Sequence, residues 1–115
     1  MKTKEAVQSL VALGQESRLA IFRYLVKAGP EGAFAGRIAE ALDIPPALIS
    51  FHVKGLCQAG LVDSDRDQSD GRLICYTANF VAMNSLIAYL TENCCGGDPA
   101  ACCPPAPPAR RRKSI

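Results

Sequence analysis

The sequence predicts a mainly α-helical domain with one small β-hairpin, in the order helix, helix, helix, helix, strand, strand, helix. Three observations predict it. Apolar residues recur at helical spacing in five stretches of the first ninety or so residues. The run Asp43-Ile44-Pro45-Pro46 forces a short break between the third and fourth of these. Two short stretches of strand character, residues 61–62 and 73–77, flank a polar turn over residues 65–71.

The first helix is expected over Thr3–Leu13, with Thr3 as its cap and Val7, Leu10 and Val11 as one stripe; Gly14 ends it. The second covers Glu16–Ala28. Leu19, Phe22 and Val26 fall on one line, Ile21 and Leu25 lie beside it, and Gly29-Pro30 is a strong stop. The third covers Ala35–Leu42, with Ile38, Ala39 and Leu42 facing inward. Pro46 suits the first position of the fourth helix, where its missing N–H costs nothing. That helix should run to about residue 59, bury Ile49, Val53 and Leu56, and close at Gly60. The last helix should be capped by Asn79 and carry Phe80, Met83, Leu86, Ile87 and Leu90. Two short helices joined by a four-residue break, followed by a hairpin with a charged tip, describe a winged helix-turn-helix.

At 115 residues the chain fits one small domain, of a size often completed by a partner subunit. No apolar run approaches the ~18 residues of a membrane span. The first five residues, with Glu5 and no apolar core, do not read as a secretory leader, so the expected setting is cytoplasmic, with reduced thiols. The composition breaks at about residue 93. Residues 1–93 read as the folded, DNA-binding and dimerising part, and residues 94–115 as a Cys-rich segment with a Pro/Arg-rich tail. The net charge of +2 is misleading, because Arg110, Arg111, Arg112 and Lys113 sit in that tail. Residues 1–109 hold nine basic against eleven acidic groups, so DNA contact has to come from local cations.

Local cations are where the fold needs them. With Ile49, Val53 and Leu56 buried, the fourth helix keeps Ala47, Ser50, Phe51, Lys54 and Gln58 free. Ser50 and Gln58 can hydrogen-bond base edges or phosphates, and Lys54 can reach a phosphate or a guanine edge. Arg66 and Arg72 flank the hairpin tip and suit the DNA backbone or minor groove, although Asp63, Asp65, Asp67 and Asp70 dilute the charge there. His52, the single histidine, reads as a partly buried structural residue, since a lone imidazole makes no metal site.

The pattern Leu42-x-Ile44-x-x-x-x-Ile49-Ser50-x-His52-Val53-x-x-Leu56, the following Ala59-Gly60-Leu61-Val62, and Gly71-Arg72 with Tyr76 four residues on resemble the ArsR/SmtB family of metal-sensing repressors. Leu13-Gly14 and Arg18-Leu19 extend the resemblance, which covers about residues 7–92. It implies a repressor that binds double-stranded operator DNA as a homodimer. Val7, Leu10 and Val11 of the first helix, with Met83, Leu86, Ile87 and Leu90 of the last, would build the dimer interface.

Two metal sites of the family have no counterpart. Residues 33–37, on the third helix's side, hold no thiol, and residues 79–91 hold no Asp, His or Glu. What the chain has instead is Cys94, Cys95, Cys102 and Cys103, with a Gly96-Gly97-Asp98-Pro99 turn between the two pairs. Soft thiolates select soft acceptors. Trivalent arsenic or antimony takes three sulfurs in a pyramid, whereas zinc prefers four, with ligand pairs spaced more widely than adjacent cysteines. The cluster also resembles arsenical-sensing relatives that carry a vicinal pair and a third cysteine past the last helix. As(III) or Sb(III), including methylated trivalent arsenicals, is therefore the expected inducer, bound by three of the four thiols. A zinc, cadmium or other soft-metal sensor and a thiol redox switch stay open as alternatives. Cys57 and Cys75 fall inside regular patterns and read as core thiols. An enzyme is not expected: the chain has no C-x-x-C at a helix start, no phosphate-cradling glycine loop and no His–acid pair. A metallochaperone would account for the thiols and leave the DNA-reading pattern unexplained.

Overall fold

The computed structural model describes residues 1–66 and 73–98. Five helices and three short strands follow in the order α1 (Thr3–Leu13), α2 (Glu16–Ala28), β1 (Ala33–Phe34), α3 (Ala35–Leu42), α4 (Pro46–Gln58), β2 (Val62–Arg66), β3 (Ile74–Ala78) and α5 (Phe80–Leu90). This is the winged helix-turn-helix architecture, α3 and α4 forming the pair and β2 and β3 the wing.

Local chemistry explains the helix ends. Pro46 occupies the first turn of α4, and Asp43, in the left-handed region at φ +56°, turns the chain out of α3. Asn79 caps α5, its side-chain oxygen accepting the Ala82 N–H at 2.9 Å. Gln15 does the same for α2, accepting the Arg18 N–H at 2.9 Å. Thr3 departs from its expected role. It is the first helical residue of α1, the Lys2 backbone N–H donates to Glu5 Oε1, and the Thr3 hydroxyl instead meets the Tyr89 hydroxyl on α5.

Two strand features differ from the sequence reading. The wing strand extends through Asp65 and Arg66, which were expected in the turn; they pair with Cys75 and Ile74. The sheet order is β1-β3-β2, so β2 is an edge strand and its exposed polar side chains do not oppose pairing. The two-residue β1 was not expected at all. It pairs Ala33 with Tyr76 and Phe34 with Cys75, and Gly32 makes its approach possible. A Cβ at Gly32 would collide with the Tyr76 carbonyl, and the residue's φ is +66°.

The core lies between α2, α3, α4 and the sheet. Ile21, Leu25, Ile38, Ile49, Leu56 and Leu61 are fully buried, with Val53 and Val62 beside them. Burying each such side chain contributes roughly 1.5–3 kcal/mol. This packing fixes α4 from its inner side and leaves its outer side open. On α1 the buried residues are Ala6, Ser9 and Ala12, which turns Val7, Leu10 and Val11 outward.

Candidate nucleic-acid interface and thiol site

The free face of α4 is the one expected. Ala47, Ser50, Phe51, Lys54 and Gln58 are all exposed, opposite the buried Ile49, Val53 and Leu56. Ser50, Phe51 and Lys54 lie within one turn or so of each other near its middle. Gln58 lies about 6 Å beyond Lys54, and about 12 Å beyond Ser50, along the axis at ~1.5 Å per residue. There it shares a cleft with Val7, Gln8 and Val11 of α1, away from the first turns of the helix.

Arg18 ties this helix to the α1–α2 corner. Its Nε donates to the Ala12 carbonyl at 2.6 Å, and its Nη1 lies 3.5 Å from His52 Nδ1. A guanidinium only donates, so a hydrogen bond here places the imidazole proton on Nε2. The His52 ring meets the Phe51 ring edge to face, centroids 5.3 Å apart at 65°. His52 is half-buried.

On the wing, Arg66 is exposed at the end of β2. Arg72 lies outside the described residues, as do the acids Asp67 and Asp70. Cys75, on β3, donates its thiol to the Glu31 carbonyl at 3.3 Å. Cys57, at the end of α4, is half-buried; burial pushes its thiol pKa up, and the Asp63 carboxylate pushes it further. Cys57 packs against the edge of the core and Cys75 is half-buried on the sheet, so neither is the fully buried thiol its pattern suggested.

Past α5 the chain makes a short turn of 3-10 character over Cys94–Gly97. Cys94 and Cys95 are exposed, with their sulfurs 3.8 Å apart, close enough to face one soft acceptor. Asn93 and Cys95 hold left-handed φ of +55°, and Gly96 and Gly97 continue in that region. Cys102 and Cys103 lie outside the described residues.

Residues 13–65 match the family model of a helix-turn-helix domain. An ArsR-like transcriptional regulator from Rhodococcus sp. RHA1 is similar, with 28% identity and a TM-score of 0.66 over 82% of each chain. The chain has a winged helix-turn-helix fold, similar to that of an ArsR-like transcriptional regulator. Two further structures share the fold. A mutant of ZitR from Lactococcus lactis has 24% identity and a TM-score of 0.55 over 69% of this chain and 52% of that one. MepR of S. aureus in complex with DNA has 19% identity and a TM-score of 0.59 over 76% and 72%. No curated protein matches the chain significantly.

The expected dimer residues divide into two groups. Val7, Leu10 and Val11 on α1, with Ile87 and Leu90 on α5, are exposed within the single chain. Leu86 is only 7% exposed and already belongs to the fold of one chain, so it is a poor probe of an interface. Met83 lies between the two groups. With Leu19, Phe22, Leu86 and Ile87 it lines an apolar groove of 400 Å³ between α2 and α5. Among the described residues no helix is long and apolar enough to cross a membrane. The sequence reading missed Tyr89 and the reach of Arg18. Each makes its bond to a residue distant in the chain, and no local spacing announces such a partner.

Proposed function

We propose that the protein is a transcriptional regulator of the ArsR/SmtB-like type, a homodimeric repressor that releases operator DNA when As(III) or Sb(III) binds its C-terminal thiols. The observation that carries this reading is the exposed Cys94–Cys95 pair, its sulfurs 3.8 Å apart, placed directly after α5. Two soft sulfurs held side by side suit one soft, thiophilic centre. Cys102 or Cys103 would supply the third sulfur of a pyramidal site.

The reading also gives the ligand a route to the DNA-binding helix. The last turn of α5 is tied to the first residue of α1 through Tyr89 and Thr3. The far end of α1 is tied through the Ala12 carbonyl to Arg18, which reaches His52 on α4. Exposed apolar residues on α1 and α5, which pack on one another, supply the surface for a second copy. Ser50 and Lys54, with Arg66 and Arg72 of the wing, would hold the DNA. A coupling of ~1–3 kcal/mol between the two sites gives a ~5–150-fold loss of DNA affinity.

The test is a gel shift with the gene's own upstream duplex, titrated in parallel with arsenite, antimonite, zinc, cadmium and a thiol oxidant. The proposal expects release by the two metalloids at the lowest concentrations. Release by zinc or cadmium alone, or only by the oxidant, would replace it with the corresponding sensor.

A further inference from the structure

Phe51, 66% exposed, stands between Ser50 and Lys54 on the open face of α4. A large apolar ring left in water on a helix whose other side is packed gains nothing for the fold of one chain. The Phe51 and His52 rings meet edge to face at 5.3 Å, and His52 Nδ1 lies 3.5 Å from Arg18 Nη1. Leu48, one turn earlier, is half exposed too, so α4 presents an apolar patch next to the Ser50 hydroxyl and, one turn on, the Lys54 ammonium group.

In the DNA major groove one feature is apolar: the C5-methyl group of thymine. We infer that Phe51 is a specificity-determining residue that reads a thymine methyl in the operator. The inference rests on the reading of α4 as the DNA-contacting helix. Ser50 and Lys54, on either side, would bind groups that hydrogen-bond. Phe51 would instead reject cytosine, which lacks the methyl, at the position it covers. Thymine thus enters the recognition code by shape and apolar contact, with no hydrogen bond from the ring.

Replacing thymine by deoxyuridine deletes only that methyl and keeps base pairing. The full chain is first used to select duplexes from a random pool. Each thymine of the selected site is then changed to deoxyuridine in turn, and affinity is measured for the wild type, Phe51→Ala and Phe51→Leu. The wild type should lose about three- to tenfold at one thymine per half-site, the scale of one or two buried carbon groups. Phe51→Ala should lose a similar factor on the parent duplex and nothing further on that deoxyuridine duplex. Phe51→Leu should fall between, because it keeps an apolar group in place.

Thermal melting checks that both variants fold, as expected for an exposed position. Additive losses, with Phe51→Ala weakened equally on every duplex, would overturn the inference. So would unchanged affinity for Phe51→Ala, which would turn the patch toward a protein partner. Failure to select any duplex would remove the reading of α4 itself, and this inference with it.

Discussion

Helix α4 and the segment after α5 are built on opposite terms. Three side chains of α4, Ile49, Val53 and Leu56, are buried in the core, so its free face is positioned by the packing of the whole domain. Over Cys94–Gly97 every residue is exposed. The backbone there places Asn93 and Cys95 in the left-handed region, which costs a residue such as cysteine roughly 1–2 kcal/mol. The contrast teaches where each kind of specificity resides. Reading DNA requires groups held in register on a fixed frame. Thiols that take up a ligand can sit on a segment whose geometry the ligand itself completes.

The comparison breaks most visibly in stability. Leu56→Ala should cost about 2–5 kcal/mol, because it opens a cavity under α4. Cys94→Ser, at an exposed site, should stay within about 0.5 kcal/mol of the parent. Urea unfolding of the two variants measures the difference. A large loss for Cys94→Ser would mean that the terminal segment belongs to the core after all.

The next effect concerns assembly. Leu90→Asp, at a position 58% exposed, should leave the fold intact and yield a monomer by analytical ultracentrifugation. A monomer offers one α4 and few phosphate contacts, so operator binding should fall by orders of magnitude. A dimer that survives this change would move the interface off the α1–α5 surface.

A smaller effect is expected at Lys54. Lys54→Ala should weaken DNA binding while leaving metalloid stoichiometry unchanged. If Lys54 meets a phosphate, the slope of log affinity against log salt falls by about one. If it reads a guanine, discrimination relaxes at one base pair instead. A fourth, finer test separates the thiols themselves. Brief alkylation at neutral pH should label Cys94 and Cys95 well before Cys57, whose thiol is half-buried and pushed up in pKa by burial and by Asp63. Equal labelling would erase the distinction between core and sensor thiols.

Much of this was legible in the chain. The bounds of α1, α2 and α3 follow from apolar spacing and from punctuation by glycine and proline, and Pro46 marks the start of α4. The free face of α4 follows from the same spacing, because 3.6-residue periodicity fixes both sides of a helix at once. What escaped depended on distant partners. The strand β1 is two residues long and exists only because Tyr76 and Cys75 lie beside it. Thr3 looked like a cap, yet it contacts Tyr89, eighty-six positions away. Leu86 looked like an interface residue because stripe patterns do not say which neighbour covers them. The thiol cluster was legible as chemistry, in the density of cysteines. Its geometry was not, since no periodic rule predicts left-handed residues at Asn93 and Cys95.

The central claim is that the terminal thiols carry the signal and α4 carries the output. One measurement meets it most directly: release of bound operator by arsenite, compared between the wild type and a variant with Cys94, Cys95, Cys102 and Cys103 all changed to serine. A hydroxyl is harder and far less acidic than a thiol and does not replace it as a ligand for a soft centre. The variant should bind operator as tightly as the wild type and keep it at arsenite concentrations that free the wild type completely. Binding to the wild type should also release protons, because each coordinating thiol must ionise. Release from the four-serine variant at the same arsenite concentration would contradict the account.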